Sequence, residues 1–231
     1  MVELKSNDYV GISFWLISIS LAATTGFLVV ERPSIEKKWQ TPTTVGALVT
    51  GIAAVHYFYM RTLWVKNRSS PVVYRYIDWF LTVPLQIIEF YLILSVATKI
   101  PSEIFYKLLG AAIVMLVAGF LGETGMINRM LGFTIGTFAW LYIVYEIFFG
   151  ETAQYKNETT DKSVIFAFDA LKYIVTIGWA IYPIGYMAGT DGWYSGLFGF
   201  LDGQMDVIYN IGDAVNKIGF GLVVYNLAVS K

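Results

Sequence analysis

The chain has 231 residues, 56% hydrophobic and 14% charged, with a net charge of −1; ordinary soluble domains carry about a quarter charged residues. There is no cysteine and one histidine, which excludes a disulfide framework, a cysteine–metal site and a multi-histidine metal centre. The near-neutral balance gives no basic footprint for nucleic acid, and the apolar excess fits a multi-span membrane protein.

Seven apolar segments are each long enough to cross a hydrocarbon core about 30 Å thick. The first, 9–30, is too long for a signal peptide and reads as a retained span. A charged run, 31–38, and Trp39 separate it from the second, 42–65. The third opens at Pro71, a residue suited to a first helical turn, and runs to 98. Pro84 lies in its middle and should kink it or free a carbonyl. The fourth covers 102–121 and the fifth 126–149. A polar linker, "GETAQYKNETTDK", precedes the sixth, 163–188, and a Gly-rich loop, 189–203, precedes the seventh, 204–229. With no internal repeat, the expectation is an all-α membrane protein, a single seven-helix transmembrane bundle over 1–231.

Basic residues set the orientation. One side holds Arg32, Lys37, Lys38, Lys99, Lys107, Lys156, Lys162 and Lys231, the other Lys5, Lys66, Arg68 and Arg129. The richer side is expected in the cytoplasm, with the N-terminus outside and the C-terminus cytoplasmic.

The third segment contains "RYIDWFLTVPLQIIEF", which puts Arg75, Asp78 and Glu89 inside a span. Asp78 and Thr82 are four apart and share a face. Glu89 lies eleven residues beyond Asp78, roughly 16 Å along the axis and about 20° from three full turns. Arg75, Asp78, Thr82 and Glu89 therefore form one stripe, which must face the bundle interior because charge facing lipid is costly. In the seventh segment, Tyr209, Asp213 and Lys217 are again spaced by four. Lys217 could form a structural ion pair with Asp213, or, in a dry site, a Schiff base with an aldehyde. Asp78, Asp213 and Arg75 would leave such a charge set near neutral.

"RYIDWFLTVPLQIIEFYLIL", "WAIYPIGY" and "IYNIGDAVNKIGFGL" closely resemble the signatures of the microbial (type 1) rhodopsins, and within them the blue-absorbing proteorhodopsins. The likeness runs over nearly the whole chain. It implies all-trans retinal joined as a Schiff base to Lys217, and a light-driven outward proton pump in the bacterial inner membrane rather than an enzyme. The competing reading is a sensory photoreceptor signalling through a membrane partner; a carboxylate at 89 argues against it.

By the same resemblance Asp78 is the counterion and primary proton acceptor, Glu89 the cytoplasmic donor, and Thr82 completes the Asp-Thr-Glu triplet of outward proton pumps. Asp213 is the second counterion with Arg75 below it, and Tyr57 and Tyr209 are its expected hydrogen-bond partners. His56 is expected to pair with Asp78, the plainer alternative being a core histidine bonded to backbone. Trp15 is expected to meet that histidine across a subunit interface, which implies a homo-oligomeric ring, a pentamer or hexamer, in the lipid bilayer. Trp79, Trp179, Tyr182 and Pro183 are expected to sandwich the polyene, with Met115, Gly119, Phe133, Gly136 and Trp140 around the chain and ring. Gln86 is expected to set a blue colour through its amide dipole. Glu123 is a candidate proton-release group. The resemblance implies no metal.

Overall fold

The computed structural model describes residues 4–201 and 203–230. Among them seven helices are long and apolar enough to cross a membrane: Tyr9–Ser34, Lys37–Asn67, Val72–Ala97, Ser102–Glu123, Arg129–Glu158, Lys162–Gly189 and Met205–Val229. They are called α1 to α7 below. Lys231, counted above on the basic side, lies outside the described residues.

The entry to α1 is fixed by Asp8. Its carboxylate accepts from Gly11 N at 2.9 Å and from Trp64 Nε1 at 3.0 Å, and pairs with Arg68. Burial works against this charge, but the bonds from Gly11, Trp64 and Arg68 prevail and hold the carboxyl below its ordinary value. Arg68 itself ends α2 in the left-handed region, φ 53°, so the clasp ties the start of α1 to the α2–α3 turn. The bundle then closes as a ring of neighbours: α1 on α2, α2 on α3, α3 on α4, α4 on α5, α5 on α6, α6 on α7, and α7 back on α1 and α2.

Outward faces carry Val55, Leu16 and Phe58, all exposed. The inward face of α3 carries Arg75, Asp78, Thr82 and Glu89, all fully buried. The polar stripe thus points where the cost of burying charge can be met by partners rather than lipid.

Four local features differ from expectation. α2 begins earlier than 42, because the 3₁₀ turn Lys37–Trp39 buries Trp39 and Pro42 sits in the first helical turn, where its missing N–H costs nothing. The fifth helix begins at Arg129, where the Asn128 side chain accepts from Leu131 N at 3.2 Å and caps it. The polar linker is not extended: Glu151–Glu158 forms a short helix with Lys156 bound to Asp169 at 3.0 Å. Within the Gly-rich loop, Ser195–Phe198 and Gly199–Leu201 make short helical turns. α3 runs unbroken through Pro84, which can offer no N–H to the carbonyl of Phe80.

Two further departures matter for the site. α6 widens into a π-turn at Ile174–Gly178 and α7 does so at Ala214–Ile218. Such turns recur at functional positions in helices.

Candidate functional site

Lys217 sits in the widened turn of α7 and is buried. Its ammonium contacts Asp78 Oδ2 directly and lies 3.2 Å from Asp213 Oδ2. Neither the lysine alone nor the carboxylates alone could be buried cheaply; together they compensate one another.

The two carboxylates are not equivalent. Asp213 is saturated: Tyr57 donates at 2.7 Å, Tyr182 at 2.7 Å and Trp79 Nε1 at 3.1 Å. Asp78 has Lys217 on one oxygen, while Oδ1 is buried with no hydrogen-bond partner. His56 Nδ1 lies 3.5 Å from that oxygen but bonds Ile52 O at 3.0 Å, so both placements weighed for this histidine meet at one nitrogen. The Thr82 hydroxyl is used by its own helix, donating to Asp78 O at 3.0 Å.

Arg75 lies in the same interior but does not bond Asp213. Its guanidinium bonds Asp206 at 2.8 Å, Asn210 at 2.6 Å and Tyr57 at 3.3 Å. Asp206, which Ser70 also bonds at 2.9 Å, was not anticipated from sequence. Tyr209 does not partner Asp213 either. Its hydroxyl reaches Glu123 at 3.3 Å, beside Tyr76 at 2.9 Å, and Tyr182 takes the expected place. Glu89 lies further along α3, fully buried, with no partner for either oxygen.

An apolar cavity lies between α3, α4, α5 and α6. Its walls include Trp79, Met115, Gly119, Phe133, Gly136, Trp140, Trp179, Tyr182, Pro183 and Tyr209, every one anticipated, together with Tyr76, Val83, Leu116, Gly132, Thr137 and Tyr186, which were not. A Cβ at Gly119 would come within 2.8 Å of the Tyr76 hydroxyl, so glycine there leaves room for that ring. Two lining side chains, Trp79 and Tyr182, also bond Asp213, which joins the cavity to the Lys217 environment. Gln86 does not line the cavity; its amide donates to Asn216 O at 3.1 Å. That bond uses the amide N–H on backbone next to Lys217.

Fold and site define a class: a seven-helix membrane protein with an interior amine held between two carboxylates, beside an aromatic-walled cavity. Residues 8–231 match the family model described as "Bacteriorhodopsin-like protein". The chain is 47% identical to the green-light absorbing proteorhodopsin of Gamma-proteobacterium EBAC31A08, over 99% of this chain and 90% of that one. It is 45% identical to the blue-light absorbing proteorhodopsin of Gamma-proteobacterium Hot 75m4, again over 99% and 90%. The crystal structure of blue light-absorbing proteorhodopsin from Med12 superposes with a TM-score of 0.80 at 45% identity, covering 96% of this chain and 98% of that one. The chain belongs to the bacteriorhodopsin-like family of microbial rhodopsins, among the proteorhodopsins.

Proposed function

We propose that this chain is a light-driven outward proton pump of the bacterial inner membrane, carrying all-trans retinal as a Schiff base on Lys217. The observation that carries the reading is the inequality of the two carboxylates around one amine. The saturated Asp213 keeps its charge as a fixed counterion; the bare oxygen of Asp78 is the place for an arriving proton.

The residues present suit retinal. Lys217 offers a primary amine, and the adjoining cavity has flat aromatic walls in Trp79, Trp179 and Tyr182. Retinal bound there would supply absorption of visible light and a double bond that isomerises on absorbing it. The chain's own groups would do the rest. Asp78 takes the proton from the Lys217 nitrogen. Arg75, fixed by Asp206 and Asn210, holds positive charge toward the outer half and favours onward release. Glu89, in a dry site with no partner, keeps a proton at rest and returns it from the cytoplasmic side. Trp15, 37% exposed and stacked with Arg61 at 4.2 Å, presents a ring to a neighbouring copy, which supports a homo-oligomer with His56 near the interface.

The test is expression with added all-trans retinal and illumination of unbuffered cells. Light should acidify the medium, and a protonophore should abolish the change. Alkalinisation, or no pH change from a coloured protein, would sink the pump reading.

Two variants probe individual roles. Glu89→Gln should leave the colour nearly intact and slow dark recovery of absorption after a flash by about a hundredfold, the scale of one lost acid–base group. Added azide should partly restore the rate. Unchanged recovery would remove Glu89 from the proton route.

Gln86→Leu should shift the absorption maximum to the red. If the amide favours the ground state by about 1 kcal/mol over the excited state, the shift is about 10 nm. A maximum that stays put in a folded pigment would limit Gln86 to its bond with Asn216.

A further inference from the structure

The two widened turns face each other, and one side chain joins them. In α6, Trp179 N reaches back five residues to Ile174 O at 3.0 Å, and Tyr182 N bonds Trp179 O at 3.0 Å. The carbonyls of Val175 and Gly178 thereby lose their ordinary helical donors. Trp140 Nε1 takes Val175 O at 2.9 Å. Asn216 Nδ2, from the widened turn of α7, takes Gly178 O at 3.0 Å. The same amide lies 3.3 Å from the Tyr182 hydroxyl, and the backbone carbonyl of Asn216 accepts from Gln86.

Asn216 is fully buried, yet its Oδ1 has no partner. A Cβ at Gly178 would run into that oxygen well inside van der Waals contact, so glycine there is required by the approach of the amide. The layer holding Gln86, Asn216 and Gly178 also has a definite depth. Gln86 lies eight residues beyond Asp78 and three short of Glu89, so the layer falls between the Lys217 site and Glu89.

We propose that Asn216 is a positioning residue: its carboxamide clasps the widened turns of α6 and α7 and so closes the path to Lys217 from the Glu89 side. This rests on the reading of Lys217 as the retinal anchor. α6 cannot draw away from α7 at this level without releasing Gly178 O. Breaking the clasp admits small polar molecules to the Lys217 nitrogen.

The test is the rate at which hydroxylamine bleaches the retinal-loaded protein in the dark. Asn216→Ala should speed bleaching about fivefold, the worth of one neutral hydrogen bond. Gly178→Ala, which pushes the amide away, should do the same. Because both break one contact, the double variant should bleach no faster than Asn216→Ala alone. If Asn216→Ala gives no pigment, Asn216→Ser carries the test, being polar but too short to reach Gly178 O. Bleaching at the parent rate, or rates that multiply in the double variant, would overturn the clasp. Lower thermal stability with unchanged bleaching would return Asn216 to packing alone. A parent that forms no pigment overturns the proposed function instead. The clasp is then decided by thermal unfolding of the retinal-free chain: each single variant should lower the midpoint, and the double variant no further. Additive losses would refute it there too.

Discussion

Lys217→Ala is expected to give a colourless protein when expressed with all-trans retinal, whatever the pH. No other lysine lies with both Asp78 and Asp213 beside its nitrogen. The substitution should also destabilise the fold, because it leaves two buried carboxylates without their cation; losing one partner of such a set costs about 3–5 kcal/mol. Retinal already joined to a small alkylamine supplies the missing cation without a covalent link. It should restore both a visible band and thermal stability, which separates a lost anchor from a misfolded chain. A visible, hydroxylamine-sensitive pigment formed by Lys217→Ala with retinal alone would place the anchor elsewhere.

Asp78→Asn is expected to abolish light-driven acidification while retaining a pigment. The amide keeps the size of the side chain but can neither accept the proton nor balance the positive nitrogen. Loss of an acid–base group typically costs about a hundredfold or more, so pumping should fall below detection. With one counterion gone, the band should move to the red, since the positive charge near Lys217 is less well held in the ground state. Asp213 stays in place under Tyr57, Tyr182 and Trp79, and so the pigment should still form. Normal acidification by Asp78→Asn would make Asp213 the acceptor and reverse the assignment argued from the bare oxygen.

Much of this was legible in the sequence. The seven spans are written in hydropathy, and the α3 stripe in a helical period that places Arg75, Asp78, Thr82 and Glu89 on one buried face. Angular period, however, says nothing of the direction in which a long side chain leans. Helical side chains tilt toward the N-terminus of their own helix. Arg75 therefore leans away from Asp78 and reaches Asp206 at the start of α7. Tyr209 likewise leans away from Asp213, four residues later, and reaches Glu123. Both pairings required the neighbouring helix to be in place. The widened turns left no mark either, because Ile174–Gly178 and Ala214–Ile218 are as compatible with an ordinary helix by composition as their flanks. The helix at Glu151–Glu158 was hidden by its polarity, which reads equally well as a loop.

The widened turn of α7 makes chain length itself a constraint. A π-turn holds one residue more than a regular turn, and each residue of a helix advances it by about 100°. Deleting Val215 alone would allow a regular helix to form through this segment, with no loss of hydrogen bonds. Everything beyond would then be rotated by roughly that angle. Phe220, Val224 and Leu227, now buried, would turn off their present contacts, and exposed Leu222 would swing out of its lipid-facing sector. Lys217 would change its bearing toward Asp78 as well. Substitutions across 214–218 can be absorbed one side chain at a time, whereas a single-residue gap there would misregister half a helix.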